Sequence, residues 1–283
     1  MPPAPHVAVL MTSHNRCAKT LSALAALDRQ RALPAGTVVR THLVDAGSTD
    51  GTPGAVRRLH PGVRLRSVGT DVFWGEGMRI ASRDSCAVGA AAPWTHQLWL
   101  NDDVELADDA LAVLLATARQ VGEDSVVVGA VHSRESFGAG TTYSGRRGRA
   151  LDLVEPTGHP EPCHTYNGNV VLLPRAVRER VGDIDRPFTH GMGDYDHGFR
   201  ARKAGFRLYV APHHVGVCEA NPPLIGSREP GIGLREALRR VTSQRELPPR
   251  QWWVYCLRHN WPWAPLLMVS PYMRTLLRAA AAR

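Results

Sequence analysis

Short apolar runs alternate with helix-like segments through the first hundred residues, and this alternation most constrains the fold. Four runs predict strands, at Val7–Met11, Val38–Val44, Val63–Val68 and His96–Leu100. Apolar residues at helical spacing between them predict helices over 18–31, around Val56 and Leu59, and over 76–86. Because strands alternating with helices form βαβ units, the sequence predicts an α/β fold with a mixed, mainly parallel sheet flanked by helices.

After about residue 125, the alternation of predicted strands and helices becomes less regular. Apolar runs predict further strands at 126–131, 170–173 and 206–210. Helical spacing predicts helices over 174–181 and 195–204, the second ended by Gly205. Residues 138–148 are rich in glycine and arginine, which predicts a loop or hairpin.

Polar side chains follow three of the predicted strands. Asn15 follows the first strand, Asp45 the second, and Asn101-Asp102-Asp103 the fourth. In open parallel sheets, ligands bind beyond the carboxyl ends of the strands, so these clusters predict a binding edge. Adjacent carboxylates suit a hard cation such as Mg²⁺ or Mn²⁺. The alternative is that Asn-Asp-Asp only caps the helix predicted from about Ala107.

Composition narrows the function classes. The 283 residues carry a formal net charge of +8, which favours anionic partners. No zinc-finger or basic-helix pattern accompanies this charge, so nucleic acid is not predicted as a partner. Five scattered cysteines without a CxxC pair predict reduced thiols. With no recognisable signal peptide at Met1–Pro5 and no apolar run of about 20 residues, the sequence predicts a cytoplasmic protein.

Several motifs between residues 6 and 218 together resemble family 2 glycosyltransferases, whose fold is the Rossmann-like GT-A fold. The motifs, in chain order, are Thr12–Arg16, Val44–Thr52 (close to VDDGSTDGT), Gly69–Arg79, Asn101–Asp103 in the position of the DXD motif, Asn167–Asn169 with Val181–Asp185, and Gly193–Phe206, which is similar to EDxDlxxRxxxxGy. Three positions depart from the family pattern: Ala46, Asn101 and Gly193 each replace a carboxylate.

The resemblance implies roles for individual residues. Those implied to bind the nucleotide-sugar donor are Thr12, Ser13, Asn15, Arg16, Asp45, Gly75, Arg79, Asn101 and Asp102. Asp103 is the implied ligand of Mg²⁺ or Mn²⁺. The family often has a histidine after the last strand where this chain has Cys218, so His214 is the second candidate ligand. Residues implied to contact the acceptor or support the site are Trp74, Asn167, Asn169, Asp196 and Arg200.

The implied reaction is inverting transfer of a sugar from a nucleotide-diphosphate sugar to an acceptor hydroxyl. Asp194 falls on the family's general base, which removes the proton of the attacking hydroxyl. The acceptor could be a glycan, a lipid-linked glycan or a small natural product, as in bacterial cell-surface glycan synthesis. Two alternatives remain: a catalytically impaired nucleotide-sugar-binding protein, which the three replaced carboxylates favour, and a sugar nucleotidyltransferase. The second would usually have a glycine-rich phosphate loop after the first strand, and Thr12–Arg16 contains no glycine.

The chain is expected to divide at about residue 220. Residues 1–220 form the predicted catalytic domain, with a nucleotide-sugar half over 1–125 and an acceptor half over 126–220. Residues 221–283 form a helical extension rich in aromatic and basic residues. Tryptophan and arginine over 247–283 suit peripheral contact with the inner face of a membrane. The alternatives are packing on the catalytic core or a homodimer contact.

Overall fold

The structure is a computed structural model that describes residues 4–87, 94–134, 140–221 and 225–281. The expectation of no signal peptide at Met1–Pro5 and the start of the loop predicted over 138–148 fall partly outside these ranges. So do the final residues of the C-terminal extension.

Residues 6–121 form a regular succession of strands and helices, as the sequence predicted. Its elements are β1 His6–Ser13, α1 Cys17–Asp28, β2 Val38–Asp45, α2 Thr52–Leu59, β3 Arg64–Ser67, α3 Trp74–Ala87, β4 His96–Leu100, β5 Glu105–Leu106 and α4 Ala110–Val121. The helix expected from about Ala107 begins at Ala110, because Glu105 and Leu106 pair as a short strand with the end of the chain's last strand.

The second half contains many short strands. They are β6 Val126–His132, β7 Thr141–Tyr143, β8 Gly145–Arg147, β9 Asp152–Leu153, β10 Glu161–Pro162, β11 Thr165–Tyr166, β12 Val170–Pro174 and β13 Leu208–Val217. Its helices are α5 Arg175–Val181, α6 Gly193–Lys203, α7 Leu234–Val241, α8 Pro249–His259 and α9 Ala264–Ala281, with a 3₁₀ turn at Gly226–Arg228. The predicted hairpin at 138–148 contains β7 and β8, which join different sheets.

The central sheet has the strand order β10-β13-β6-β12-β4-β1-β2-β3. Strands β4, β1, β2 and β3 are parallel neighbours, and β13 is parallel to β6. Strand β12 runs antiparallel between β4 and β6. The sheet is therefore mixed, with a parallel part formed by β1 to β4. The carboxyl ends of these four strands lie at the same edge of the sheet.

Two hydrophobic layers cover the sheet because side chains alternate along each strand. On one face, Val9 and Leu98 pack with α1 and α4. On the other face, Leu10 and Trp99 pack with α3, α5, α6 and α8. The buried pattern of β1 and β4 is nearly continuous, as expected for strands covered by helices on both sides.

The C-terminal helices pack on the second layer. Tyr255 of α8 is buried there, and α9 packs against α7 and α8. Pro271 inside α9 cannot donate to the carbonyl of Leu267, and the indole nitrogen of Trp252 donates to that carbonyl instead, at 2.7 Å. Packing on the core, one of the three expectations for this segment, is thus observed for α8. Among the described helices, none combines the length and apolarity that crossing a membrane requires.

Candidate active site

The candidate site lies where β1, β2 and β4 end side by side. In the β1–β2 register Ser13 pairs with Asp45, and in the β1–β4 register Leu10 pairs with Trp99. The strands are parallel, so the residues that follow them meet at one edge. Polar groups far apart in sequence are brought together by this alignment alone.

Arg16 joins the two carboxylates that follow β4. Its Nη1 donates to Asp103 Oδ2 at 2.8 Å and to Asp102 Oδ1 at 3.2 Å. Asp102 is almost fully buried, and this burial raises its pKa from 3.8 to about 6, against the lowering effect of the guanidinium. The arginine thus provides positive charge between two carboxylates at the sheet edge.

Buried hydroxyl groups lie beneath this ion pair. Ser13 Oγ and Thr20 Oγ1 are 2.7 Å apart, and Thr20 donates a long hydrogen bond of 3.5 Å to Asp102 Oδ2. Ser13 is buried, so the structure places it under the carboxylate rather than on the open face of the site. Sequence reasoning missed Thr20, although its position one helical turn after Arg16 is a usable signal.

Hydrogen bonds join the loops after β1 and β2 and leave one buried acceptor atom without a donor in the described part of the chain. Asn15, at φ 50°, accepts the Thr49 N–H at 2.8 Å, and its own N–H donates to Ser48 Oγ at 2.9 Å. Asp45 Oδ2 accepts the Ser48 N–H at 3.1 Å. Asp45 Oδ1 is buried and has no hydrogen-bond donor among the described residues. Such an orphaned acceptor is costly unless a ligand pairs with it.

Close backbone approach explains the two glycines at the start of α3. A Cβ on Gly75 would lie 2.5 Å from the carbonyl oxygen of Phe188, and the Gly75 N–H donates to Thr189 O at 2.7 Å. A Cβ on Gly77 would lie 2.5 Å from Thr12 Oγ1. Thr12 Oγ1 is buried and has no hydrogen-bond partner within the described chain. Gly75 therefore acts through packing.

Arg79, expected to contact the donor, is used elsewhere. Its guanidinium pairs with Glu76 and donates to the carbonyls of Asp185 at 3.0 Å and Phe188 at 3.2 Å. The side chain is only 11% exposed. The structure thus contradicts a role for Arg79 as a free phosphate contact, and assigns it to fixing the 184–188 loop on α3.

Trp74 lies between the residue that follows β4 and the start of α6. Its Nε1 donates to Asn101 Oδ1 at 3.0 Å. Its ring lies against Gly168, where a Cβ would be 2.7 Å from Trp74 Cη2 and 3.3 Å from the Cβ of Asp194. Asn101, expected to bind donor, thus orients the tryptophan that lies next to Asp194.

Asp194 lies at the start of α6. Its Oδ2 accepts the Gly168 N–H and its Oδ1 accepts the Tyr195 N–H, both at 2.9 Å. Burial raises its pKa despite these hydrogen bonds. At the neighbouring Gly193, where the sequence resemblance implies a carboxylate, a Cβ would lie 2.7 Å from Ile184 Cγ2. The local packing therefore leaves no room for a second carboxylate at Gly193.

Asn167, Tyr195 and Arg146 form a hydrogen-bonded cluster beside Asp194, and the sequence predicted only Asn167 as a site residue. Asn167 Nδ2 donates to the Tyr195 hydroxyl at 3.2 Å, and Arg146 Nε donates to Asn167 Oδ1 at 3.1 Å. The Arg146 guanidinium also lies over the Tyr195 ring, 5.9 Å from its centre. Arg146 and Tyr195 were missed, because the glycine-rich stretch around Arg146 gave no signal of which side chains face the site.

Asp196 is a buried junction between α6 and the C-terminal extension. Its carboxylate accepts from Arg200 at 2.7 Å, His259 at 2.9 Å and Arg258 at 3.1 Å. Burial alone would raise its pKa, but the hydrogen bonds from His259 and the two arginines lower it to about 2. Asp196 and Arg200, expected to support the site, thus attach α8 to the helix whose first turn contains Asp194.

The histidine expected as a second metal ligand lies elsewhere. His214 Nε2 is 2.9 Å from Thr141 Oγ1, and its ring packs edge-on against His132. Cys218 contacts Asp103 instead, with Sγ 3.7 Å from Oδ1, and Asn169 Nδ2 lies 3.8 Å from the same sulfur. Burial raises the pKa of the Cys218 thiol to about 12, so it stays protonated.

Among the described side chains at this edge, only the carboxylates suit a hard cation that prefers oxygen ligands. The described residues contain no group of three or more His, Cys, Asp or Glu side chains arranged to hold a metal. Asp102 and Asp103 supply oxygen atoms of the kind that Mg²⁺ and Mn²⁺ prefer, whereas a protonated thiol is a poor ligand for either. Ligand oxygens from outside the protein would have to complete such a site.

Comparisons with known proteins identify one relative in sequence and several in fold. No protein-family model matches the chain. Over 204 residues the chain is 28% identical to the N-acetylglucosaminyl-diphospho-decaprenol L-rhamnosyltransferase of Mycobacterium tuberculosis, as found in two strains. The aligned region covers 60% of this chain and 63% of that relative.

Solved structures decide the fold. The mannosyltransferase PcManGT from Pyrobaculum calidifontis, in complex with GDP-Man and Mn²⁺, matches with a TM-score of 0.56 at 20% identity, over 99% of this chain and 74% of that one. GalNAc-T7 with UDP, GalNAc and Mn²⁺ matches with a TM-score of 0.58 at 13% identity, over 95% of this chain and 55% of that one. S. aureus TarS 1–349 matches with a TM-score of 0.55 at 12% identity, over 98% of this chain and 80% of that one. The chain has the GT-A fold. Its carboxyl edge in that fold is the edge formed by β1, β2 and β4.

Proposed function

We propose that this protein is an inverting glycosyltransferase that moves a sugar from a nucleotide-diphosphate sugar to an acceptor hydroxyl. One observation carries the proposal: four carboxylates from three separate parts of the chain line one sheet edge of a GT-A fold. Asp45 ends β2, Asp102 and Asp103 follow β4, and Asp194 lies across Trp74. The three places differ in environment, and this difference supports three different tasks.

The first task is recognition of the base. Asp45 Oδ1 is a buried acceptor in need of a donor, so it suits a base with a ring N–H, such as uracil, thymine or guanine. Asn15, Ser48 and Thr49 hold the loops on either side of this carboxylate. Their contribution is to keep the pocket for the base in place before the donor arrives.

The second task is neutralising the diphosphate. Asp103 and Asp102 would hold Mg²⁺ or Mn²⁺ together with diphosphate oxygens, and Arg16 adds its own positive charge beside them. When bound, the cation supplies Lewis-acid stabilisation of the leaving diphosphate. Cys218 adds no charge to this side of the site because its thiol is protonated.

The third task is proton removal. Asp194 accepts two backbone N–H groups, which fix the orientation of its carboxylate. Its raised pKa makes it a stronger base than an exposed aspartate. As the acceptor oxygen attacks the anomeric carbon, Asp194 takes its proton, the new C–O bond forms, and the nucleoside diphosphate leaves.

The mycobacterial relative suggests the first substrates to test. Its name specifies an L-rhamnosyl group and a diphospho-decaprenol acceptor that carries N-acetylglucosamine. We therefore propose a deoxyhexosyl donor and a lipid-linked acceptor as the substrate classes for this chain. The cellular role that follows is assembly of a cell-surface glycan.

Nucleotide binding tests the first two tasks. Thermal unfolding would be measured with UDP, TDP, GDP and ADP, each with and without Mn²⁺. We expect a diphosphate whose base has a ring N–H to raise the melting temperature, and to raise it further with Mn²⁺. Asp45→Asn should remove most of the preference among bases. Equal shifts for all four nucleotides would contradict the assigned role of Asp45.

Turnover tests the third task. Asp194→Asn should abolish sugar transfer while the nucleotide-induced thermal shift survives. Loss of both would assign Asp194 a structural role. Tight donor binding without transfer or hydrolysis in the unaltered protein would favour a nucleotide-sugar-binding protein, and release of pyrophosphate from a nucleoside triphosphate and a sugar phosphate would favour a nucleotidyltransferase.

A further inference from the structure

The two C-terminal helices present a continuous apolar surface to solvent. On α9 its residues are Leu266, Val269, Met273 and Leu277, and from α8 onward they are Trp253, Leu257, Trp261 and Trp263. Trp261 is 73% exposed and Leu266 is 66% exposed. We call these eight residues the C-terminal apolar surface.

Helical spacing places these residues on common faces. Steps of three or four residues along α9 keep its four members on one side, and a step of four aligns Trp253 and Leu257 on α8, while Trp261 and Trp263 lie in the turn between the two helices. Trp253 Nε1 donates to the carbonyl of Met268 at 3.2 Å, so the α8 stripe adjoins the α9 stripe. The opposite faces hold Tyr255 and Thr275, which are buried. The helices are therefore apolar on their packed side and on part of their solvent side.

Within the segment that carries this surface, the charged side chains have one sign. The sequence from Leu247 to Arg283 contains no aspartate or glutamate. Arg250, Arg274 and Arg278 are exposed on the same two helices. Arg274 Nη2 lies 3.2 Å from Ser270 Oγ, which keeps its charge next to the apolar stripe of α9. An apolar surface whose own helices carry exposed arginines and no carboxylate complements an anionic, amphipathic partner.

We propose that the C-terminal apolar surface binds the surface of an anionic phospholipid membrane, with α8 and α9 lying in its interfacial layer. Tryptophan side chains favour the depth of the lipid headgroups, and leucine, valine and methionine enter the acyl boundary. The arginines pair with anionic headgroups. The Asp196 junction joins α8 to α6, so binding would bring the sheet edge with Asp194 close to the bilayer.

A second copy of the chain fits this surface less well. A two-fold contact places the same patch on both partners, so it would bring the arginines of one copy close to those of the other. The segment offers no carboxylate to neutralise them. Charge therefore favours the membrane over a homodimer.

Vesicle co-sedimentation of the full chain tests the proposal. The probes are vesicles of pure phosphatidylcholine and vesicles that also contain about 30% phosphatidylglycerol, whose headgroups make the surface anionic. We expect sedimentation with the anionic vesicles and much less with phosphatidylcholine. Leu266→Gln with Leu277→Gln should weaken binding at least about tenfold, because two buried apolar side chains are lost. Arg274→Gln with Arg278→Gln should weaken it about fivefold per arginine.

Matched controls keep the outcome clear. Leu59→Gln changes an exposed leucine on α2, and Arg119→Gln changes an exposed arginine on α4; both should leave binding unchanged. Melting temperatures of all variants check that they fold. Equal sedimentation of the parent and the Leu266/Leu277 variant would overturn the proposal. So would no sedimentation at all, or a dimer in analytical ultracentrifugation that the same two leucine substitutions dissolve. Sugar transfer is not measured, so this result is independent of the proposed function.

Discussion

Asp102 is expected to lower the stability of the fold at neutral pH. Burial raises its pKa from 3.8 to about 6, so the folded protein holds a proton there that the unfolded chain has already released. Stability therefore falls as pH rises through this interval. The shift of about 2 pKa units corresponds to about 3 kcal/mol, because one unit is worth about 1.4 kcal/mol. This free energy is the cost of keeping a carboxylate charged at the site.

The substitution Asp102→Asn removes the titrating group and nearly preserves its shape. The free energy of unfolding of the parent and the variant would be measured by urea denaturation from pH 4 to pH 7.5. We expect the free energy of unfolding of the variant minus that of the parent to increase by about 2.4 kcal/mol over this range, since part of the total of about 3 kcal/mol develops below pH 4. Any constant loss of the Arg16 or Thr20 hydrogen bonds cancels in that change. The same variant should show a weaker thermal shift with nucleotide and Mn²⁺.

Asp50→Asn is a control of opposite sign. The hydrogen bonds that Asp50 accepts from Thr52 and the Cys17 N–H lower its pKa, so its carboxylate stabilises the fold above its unfolded pKa. Its variant should therefore lose stability relative to the parent as pH rises from about 2 to about 4, and the difference should stay flat above about pH 4, where Asp50 is ionised in both the folded and the unfolded state. A difference for Asp102→Asn that is flat with pH, or that falls, would refute the assignment of a buried, destabilising carboxylate.

Three further predictions concern the surroundings of the site. Asp196→Asn should lower the free energy of unfolding, measured by circular dichroism, by about 1.5–3 kcal/mol, because Arg200 and Arg258, which are only partly buried, lose a charged hydrogen-bond acceptor. With a folded pKa of about 2, the parent should lose about 2 kcal/mol as pH falls from about 4 to 2, and the variant should not. Trp74→Phe and Asn101→Ala should each lower kcat about tenfold. The double variant should be no worse than either single variant, because both substitutions break the same hydrogen bond. Additive losses of kcat would contradict the role of the Trp74–Asn101 hydrogen bond. Cys218→His should tighten Mn²⁺ binding about tenfold in a titration with nucleotide, as an imidazole replaces a protonated thiol beside Asp103, whereas His214→Ala should leave it unchanged.

Local patterns allowed much of the fold to be predicted from the sequence. Strands β1, β2 and β4 are apolar runs whose length and boundaries follow from burial on both faces. The polar residues after them meet at one edge because parallel strands align their ends. The positions of Asp45, Asp102 and Asp103 at this edge therefore followed from the sequence without any knowledge of distant contacts.

The partners of those residues depended on the tertiary structure. Arg16 lies 86 residues from Asp102 in the chain, and Trp74 lies 27 residues from Asn101. The sequence identified Arg79 as a cation near the donor, but the 184–188 loop presents carbonyls that take up its guanidinium. A motif gives the type of side chain, whereas the orientation of its polar atoms depends on which loops pack beside it.

The outcome at β13 shows the same limit most clearly. Counting along the sequence left His214 and Cys218 as alternatives next to Asp103. The register of β13 against β6 shifts between Val210 and His214, and again between His214 and Gly216. Because each shift changes the face to which the following side chains point, only the folded sheet could decide that Cys218 contacts Asp103 while His214 contacts Thr141. The sequence determined the sheet edge and its carboxylates, and tertiary packing determined which groups surround them.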